Sequence, residues 1–260
     1  MQALEILFRW IHVLAGVIWI GHLYFFNFVN GPFQGKLDGP TKKVVNPELL
    51  PRALWWFRWG AAWTWTTGVL LLAIVYYHGR YALDAGAEGF TAGSWVMLAL
   101  TFLAPFVYDA LYKSPLAKNV RGAFVAAYAL VAVAVFLYWR VAGFSYRGVL
   151  IHTGAMFGTI MAWNVWYRIW PAQQKIIRAV KEGNAPDADL VKLAGLRSRH
   201  NTYMSVPLVY AMIGQHTTFL SGGNWGIGED TWWIVFVAII GLGWHLVFQL
   251  YKRSAKVQGF

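Results

Sequence analysis

RSRHNTYMSVPLVYAMIGQH (residues 197–216) places two arginines, two histidines and an asparagine around the apolar run Met204–Ile213. Polar groups at both ends of an apolar helix-length segment point to a helix in an apolar layer, its ionisable groups held at the faces or against other helices. The rest of the chain agrees. Of its 260 residues 58% are hydrophobic and only 13% are charged, where soluble domains average about a quarter charged. Sixteen Trp, thirteen Tyr and seventeen Phe complete the picture of a polytopic membrane protein, because helices facing lipid need apolar surface all round.

A spanning helix takes about 20 mostly apolar residues. Segments of that kind lie at roughly 5–29, 53–78, 93–112, 121–143, 147–170, 202–220 and 231–251. The expected fold is an all-α bundle of about seven transmembrane helices in a single membrane domain, 1–260, with no soluble domain before or after it. The polar stretch 171–201 reads as a loop carrying a short amphipathic surface helix. The net charge of +11 does not indicate nucleic acid, because the basic residues concentrate in alternate loops, the other side showing little beyond Arg80, Arg140 and Arg147. Lys36, Lys42, Lys43 and Arg52 share one side with Lys113, Lys118, Arg121, Lys175, Arg178, Lys181 and the tail Lys252, Arg253, Lys256. The positive-inside rule then sets the N-terminus outside and the C-terminus in the cytoplasm. Trp55, Trp56, Trp59, Trp139, Trp166, Trp170, Trp232 and Trp233 fall near span ends, where indoles settle at headgroup level.

Cysteine is absent, which excludes disulfides, iron–sulfur clusters and Cys-attached haem. No GxGxxG follows a strand, so neither flavin nor NAD is expected. Histidine carries the remaining cofactor chemistry, since two facing imidazoles can hold a haem b without cysteine. At about 1.5 Å per residue, His12, His152 and His216 come to one outer layer and form the first candidate ligand set for a haem iron. His22 and His245 form a second, inner layer. For any one of them the alternative is a bridging hydrogen bond between helices. A polar set towards the cytoplasm comprises Asn27, Arg58, Asp109, Asn164, Arg199 and His200. Arg58 and Asp109 reach similar depths and are expected to pair. Otherwise Arg58, Arg199 and His200 would form an anion pocket with Asp109 as orienting base, the arginine fork suiting a planar anion.

Three stretches, WIHVLAGVIWIGHLYFFNFVNGPF (10–33), PRALWWFRWGAAWTWTTGVLLL (51–72) and RSRHNTYMSVPLVYAMIGQH (197–216), resemble the membrane domain of bacterial urate hydroxylases, the urate oxidase N-terminal domain. That resemblance implies a multi-pass protein of the bacterial inner membrane, acting in purine degradation as an oxidoreductase that converts urate to 5-hydroxyisourate. It carries His12, Arg58, His200, Asn201 and His216 over as site residues, with Asp109 and Arg199 beside them as catalytic candidates. It also implies electron transport through a fused cytochrome c domain. The sequence ends at Phe260 without an eighth helix or a CxxCH motif, so the expected acceptor is a separate cytochrome c or oxidase. The alternative expectation is a non-catalytic subunit of a larger respiratory or photosynthetic membrane complex.

Overall fold

A computed structural model describes residues 1–257, and all regular structure in them is helical. The long helices are α1 (Gln2–Tyr24), α2 (Gly39–Leu71), α3 (Ala92–Lys113), α4 (Val120–Arg140), α5 (Tyr146–Asn164), α7 (Ala188–Gly214) and α8 (Trp232–Ser254), with a shorter α6 (Trp170–Lys181) continuing from α5. Among the described residues five helical segments are long and apolar enough to cross a membrane: Gln2–Gln34, Gly39–His78, Ala92–Lys113, Val120–Arg140 and Trp232–Ser254. The all-α expectation is met. α5 and α7 fall short in apolarity for a physical reason. Their buried positions include His152, Thr153, Asn164, Arg197, Asn201 and Thr202, and a helix covered by protein need not present apolar surface to lipid.

Two boundaries differ from the sequence reading. The second helix starts at Gly39 rather than near 53. The amide of Thr41 donates to Asp38 Oδ1 at 2.8 Å, and Arg52 pairs with Glu48 at 2.7 Å. The charged stretch is thus a solvated helical extension with its own local support. The sixth span is α7, which starts at Ala188 and ends at Gly214. Its polar first half faces protein, and Gln215 and His216 lie in the turn beyond it. The surface helix expected within 171–201 is α6, and residues 188–201 belong to α7.

The described residues pack as two compact units. One gathers 69–160 and 206–244; the other gathers 2–68, 161–205 and 245–257. In the first, α5 meets the end of α7 through Gly154, where an added Cβ would lie 2.6 Å from Met212 Cε, and Gly158, where it would lie 3.5 Å from Leu208. Small residues four apart permit this approach in the absence of a hydrophobic force between helices. In the second, α1 lies against α2 at Gly60, where a Cβ would come within 3.0 Å of the Trp19 amide nitrogen. The α-helical ladder widens to π geometry at Phe25–Asn30, Leu72–His78 and Val165–Ile169. Each of these stretches contains or adjoins a polar side chain of the sites below, as π-bulges often do.

Candidate functional site

The stretch that opened the reading folds into a helix whose polar side is its inner side. On α7 the residues Ala194, Arg197, Asn201, Thr202 and Ser205 are buried and Ser198 is half-buried, at spacings of three and four. Leu196, Val209 and Ile213 are exposed on the other faces. This is the pattern of a membrane helix lining an internal polar site, since ionisable and amide groups are stable there only against protein partners.

Within its unit the stripe is held from two directions. On the first, Asn27 of the Phe25–Asn30 π segment donates to Ser198 Oγ at 2.8 Å and to its own Leu23 carbonyl at 2.8 Å. The Asn27 oxygen accepts from the Tyr251 hydroxyl of α8 at 2.8 Å. One turn away the Tyr24 and Ser205 hydroxyls meet at 3.1 Å. Tyr251 also lies under the Arg199 guanidinium, 5.2 Å from its ring centre, and stacks with Tyr203. On the second side, Asn164 Nδ2 donates to Asn201 Oδ1 at 2.8 Å while Asn201 Nδ2 donates to the Met161 carbonyl at 3.0 Å. Asn201 is fully buried and its orientation is fixed at both ends.

Arg58 joins the same segment from α2. Its carbonyl accepts from Trp166 Nε1 at 3.2 Å. Its guanidinium carbon lies 3.9 Å from the centre of the Trp170 ring, and its Nε makes no hydrogen bond among the described residues. The cation is therefore placed by a π face with a donor to spare, as anion binding requires. His200 is half-buried on α7 between Arg199 and Asn201. Asp109 is buried on α3, in the other unit, so its expected pairing with Arg58 remains an expectation. Sequence reading missed Ser198, Tyr251 and Trp170. The three-and-four spacing of small polar residues along 194–205 was a signal for Ser198; nothing local marks Tyr251 or Trp170.

The histidines separate by which nitrogen is committed. His152 is fully buried; its Nδ1–H donates to the Gly148 carbonyl at 2.7 Å, and its Nε2 accepts from the Tyr77 hydroxyl at 2.9 Å. The ring stacks on Phe144 with centroids 4.0 Å apart. Both nitrogens are used, so this imidazole is a satisfied core group and does not fit axial ligation. His216 is exposed in the turn after α7. His12 differs: Nδ1–H donates to the Thr64 carbonyl at 2.9 Å, and its ring edge sits where a Cβ on Gly68 would lie 3.0 Å away. Its Nε2 bears the lone pair and has no hydrogen bond among the described residues, the tautomer and support found in metal-bound histidine. His22 is arranged alike, its Nδ1–H on the Ile18 carbonyl at 2.8 Å. His245 Nε2 lies 3.0 Å from Gln249 Nε2 on an exposed face of α8. Among the described residues no three His, Asp or Glu side chains gather as a metal-holding group.

All-helical regular structure among the described residues, with five membrane-length apolar helices, makes this a membrane-type helical protein with a buried polar stripe. More specifically, the chain belongs to the urate oxidase N-terminal family, whose pattern it matches over residues 34–258. The match includes Arg58, Asp109, His152, Arg199, His200, Asn201 and His216; His12 and His22 precede it. No match was found among curated proteins or among solved structures.

Proposed function

We propose that the protein is a urate-hydroxylase-like redox protein of the bacterial inner membrane, N-terminus outside, and that the α7 stripe is where a planar purine anion is received. The observation carrying this reading is the buried row Arg197, Asn201, Thr202 and Ser205, with half-buried Ser198, in a helix that exposes the apolar Leu196, Val209 and Ile213 on other faces. Family membership supports the substrate class. Arg58 and Arg199, each on an aromatic face, supply the cations. Asn201 supplies a fixed amide, and His200 supplies a neutral imidazole beside it. Urate monoanion plus water gives 5-hydroxyisourate, one proton and two electrons. The electrons pass to a separate cytochrome c or oxidase. His12 or His22, the imidazoles with a bare Nε2, would hold the iron of a haem b, which would supply one-electron transfer when bound.

Purified protein in lipid nanodiscs, given urate and a soluble electron acceptor, is expected to consume urate with two equivalents of acceptor reduced per urate. Arg58→Gln and Asn201→Leu should slow this about tenfold or more, the loss expected for one charge-assisted contact. No urate consumption by the wild-type protein with any of several acceptors would sink the reading.

A second reading, a membrane subunit of a larger respiratory or photosynthetic complex, is favoured by the exposed His245–Gln249 pair on an otherwise apolar span. Polar side chains on a bilayer-facing surface usually find a helix partner. Native purification in mild detergent should then recover an assembly, and His245→Leu with Gln249→Leu should release the free chain. Recovery of the wild-type protein only as the free chain sinks it.

A further inference from the structure

The unit built from 69–160 and 206–244 contains a cleft of about 630 Å³, lined by the segments that follow α2, α4 and α7. It opens where three connections meet, and none of the α7 stripe residues lines it. Two arginines line it, Arg80 and Arg147, with one carboxylate, Asp84, and the hydroxyls of Thr218 and Ser221.

Three observations distinguish this cleft from a solvated loop region. First, Arg147 and Asp84 both line it, yet neither side chain enters a hydrogen bond or an ion pair among the described residues, with each other or with anything else. Nearby in the same unit Arg140 has found Asp230 at 2.9 Å, so the connections do pair charges where they can. Second, Arg80 adopts the left-handed backbone conformation, φ 61°, at the end of the Leu72–His78 π segment. Glycine is the ordinary occupant of such a position after a helix, and a side chain there costs on the order of 1 kcal/mol. The strain fixes the start of an arginine whose Nη2 donates to the Ala87 carbonyl at 2.7 Å, leaving its other N–H groups to the cleft. Third, Ser145 caps α5 by accepting from the Gly148 amide at 3.1 Å, which brings the first turn of a 19-residue helix to the cleft wall, the positive end of its dipole.

We propose that this cleft is a second ligand site, separate from the α7 stripe, for a small organic anion that carries its own N–H donors. Arg147 and Arg80 take the anionic oxygens, Thr218 and Ser221 complete them, and Asp84 accepts the ligand's N–H. The single carboxylate is what selects against a plain oxyanion, because an acceptor-only ligand meets repulsion at Asp84 and an N–H-bearing one meets a partner.

Titration calorimetry on the full chain in nanodiscs tests this, with urate as the N–H-bearing anion and inorganic phosphate as the plain oxyanion. An Arg199→Gln background isolates the cleft from the α7 stripe. Urate is expected to bind there saturably, and Arg147→Gln should weaken it by about tenfold or more. Asp84→Asn, at an exposed loop position where misfolding is no concern, should move the two probes oppositely: urate weaker, phosphate tighter. Unchanged urate binding in Arg147→Gln overturns the proposal. So does a parallel response of both probes to Asp84→Asn, or no binding of either probe to the unmutated cleft. Urate turnover, measured on the protein with Arg199 intact, reports on the α7 reading alone; no turnover there with cleft binding intact sinks that reading and leaves the cleft standing.

Discussion

Replacing His152 with Ala, alone and with Tyr77→Phe, decides whether this histidine is a core group or a ligand. Three contributions disappear in His152→Ala: the bond from Tyr77, the bond to Gly148 and the stack on Phe144. Side-chain hydrogen bonds in membranes average about 0.6 kcal/mol each, and an aromatic pair adds about 1 kcal/mol. A fully buried site that cannot collapse adds a cavity cost, bringing the total to about 3 kcal/mol. Tyr77→Phe alone removes one bond and should cost about 0.6 kcal/mol. Because the two residues share that bond, the double variant should fall short of additivity by about 0.6 kcal/mol. Reversible unfolding of the protein in bicelles, followed for all four members of the cycle, measures this. Strict additivity would refute the bond between Tyr77 and His152 Nε2. If the purified protein shows a reduced b-type band, it should survive in His152→Ala; its loss would show that Nε2 serves iron instead.

Four further outcomes follow from the geometry. Gly60→Val should destabilise the protein by about 1–3 kcal/mol, the range for overpacking, since its Cβ would meet the Trp19 backbone at 3.0 Å; unfolding of purified Gly60→Ala and Gly60→Val in parallel checks it. Gly68→Ala places a methyl 3.0 Å from His12 Cε1 and should shift any haem band by perturbing that ring, with Gly16→Ala, where the space is open to 3.8 Å, as the unperturbed comparison. Arg58→Lys keeps the charge but loses the planar fork over Trp170, so urate turnover should recover only in part relative to Arg58→Gln. Finally, Asp38 accepts hydrogen bonds from Thr41, from its side chain and its backbone amide, which hold the carboxyl below its ordinary range. A depressed folded value means the cap is fully present above the unfolded value and lost as pH falls through the folded one, so the protection of the Thr41 amide, its exchange relative to the intrinsic rate at each pH, should fall from about pH 4 downward.

What was legible in the chain follows the solvent each helix meets. α3 and α8 expose apolar side chains over much of their length, so composition alone set 93–112 and 231–251 close to Ala92–Lys113 and Trp232–Ser254. For α7 the expected span 202–220 left out its first half, because the polar residues 188–201 lower the hydropathy although they form one side of a continuous helix turned towards protein. The periodicity was present, but a hydropathy reading discards it by asking only how apolar a window is. For the histidines, depth could be counted along a helix, whereas the committed nitrogen depends on residues far away in sequence. Tyr77 is 75 residues from His152 and Thr64 is 52 from His12. Those two contacts separate a core imidazole from a candidate ligand, and neither leaves a mark in the chain near the histidine itself.

The polar stripe also bears on how the chain enters its membrane. A lone arginine at a helix centre opposes insertion by roughly 2.5–3.5 kcal/mol, and α7 adds Asn201, Ser198 and Ser205 to Arg197. Presented to a translocon by itself, this segment would be rejected. Its partners lie at opposite ends of the polypeptide: Asn27 is synthesised early, while Tyr251 arrives only with α8. Stable integration of the sixth helix must therefore wait for the last one, and a ribosome stalled before residue 251 would leave α7 accessible from the aqueous side.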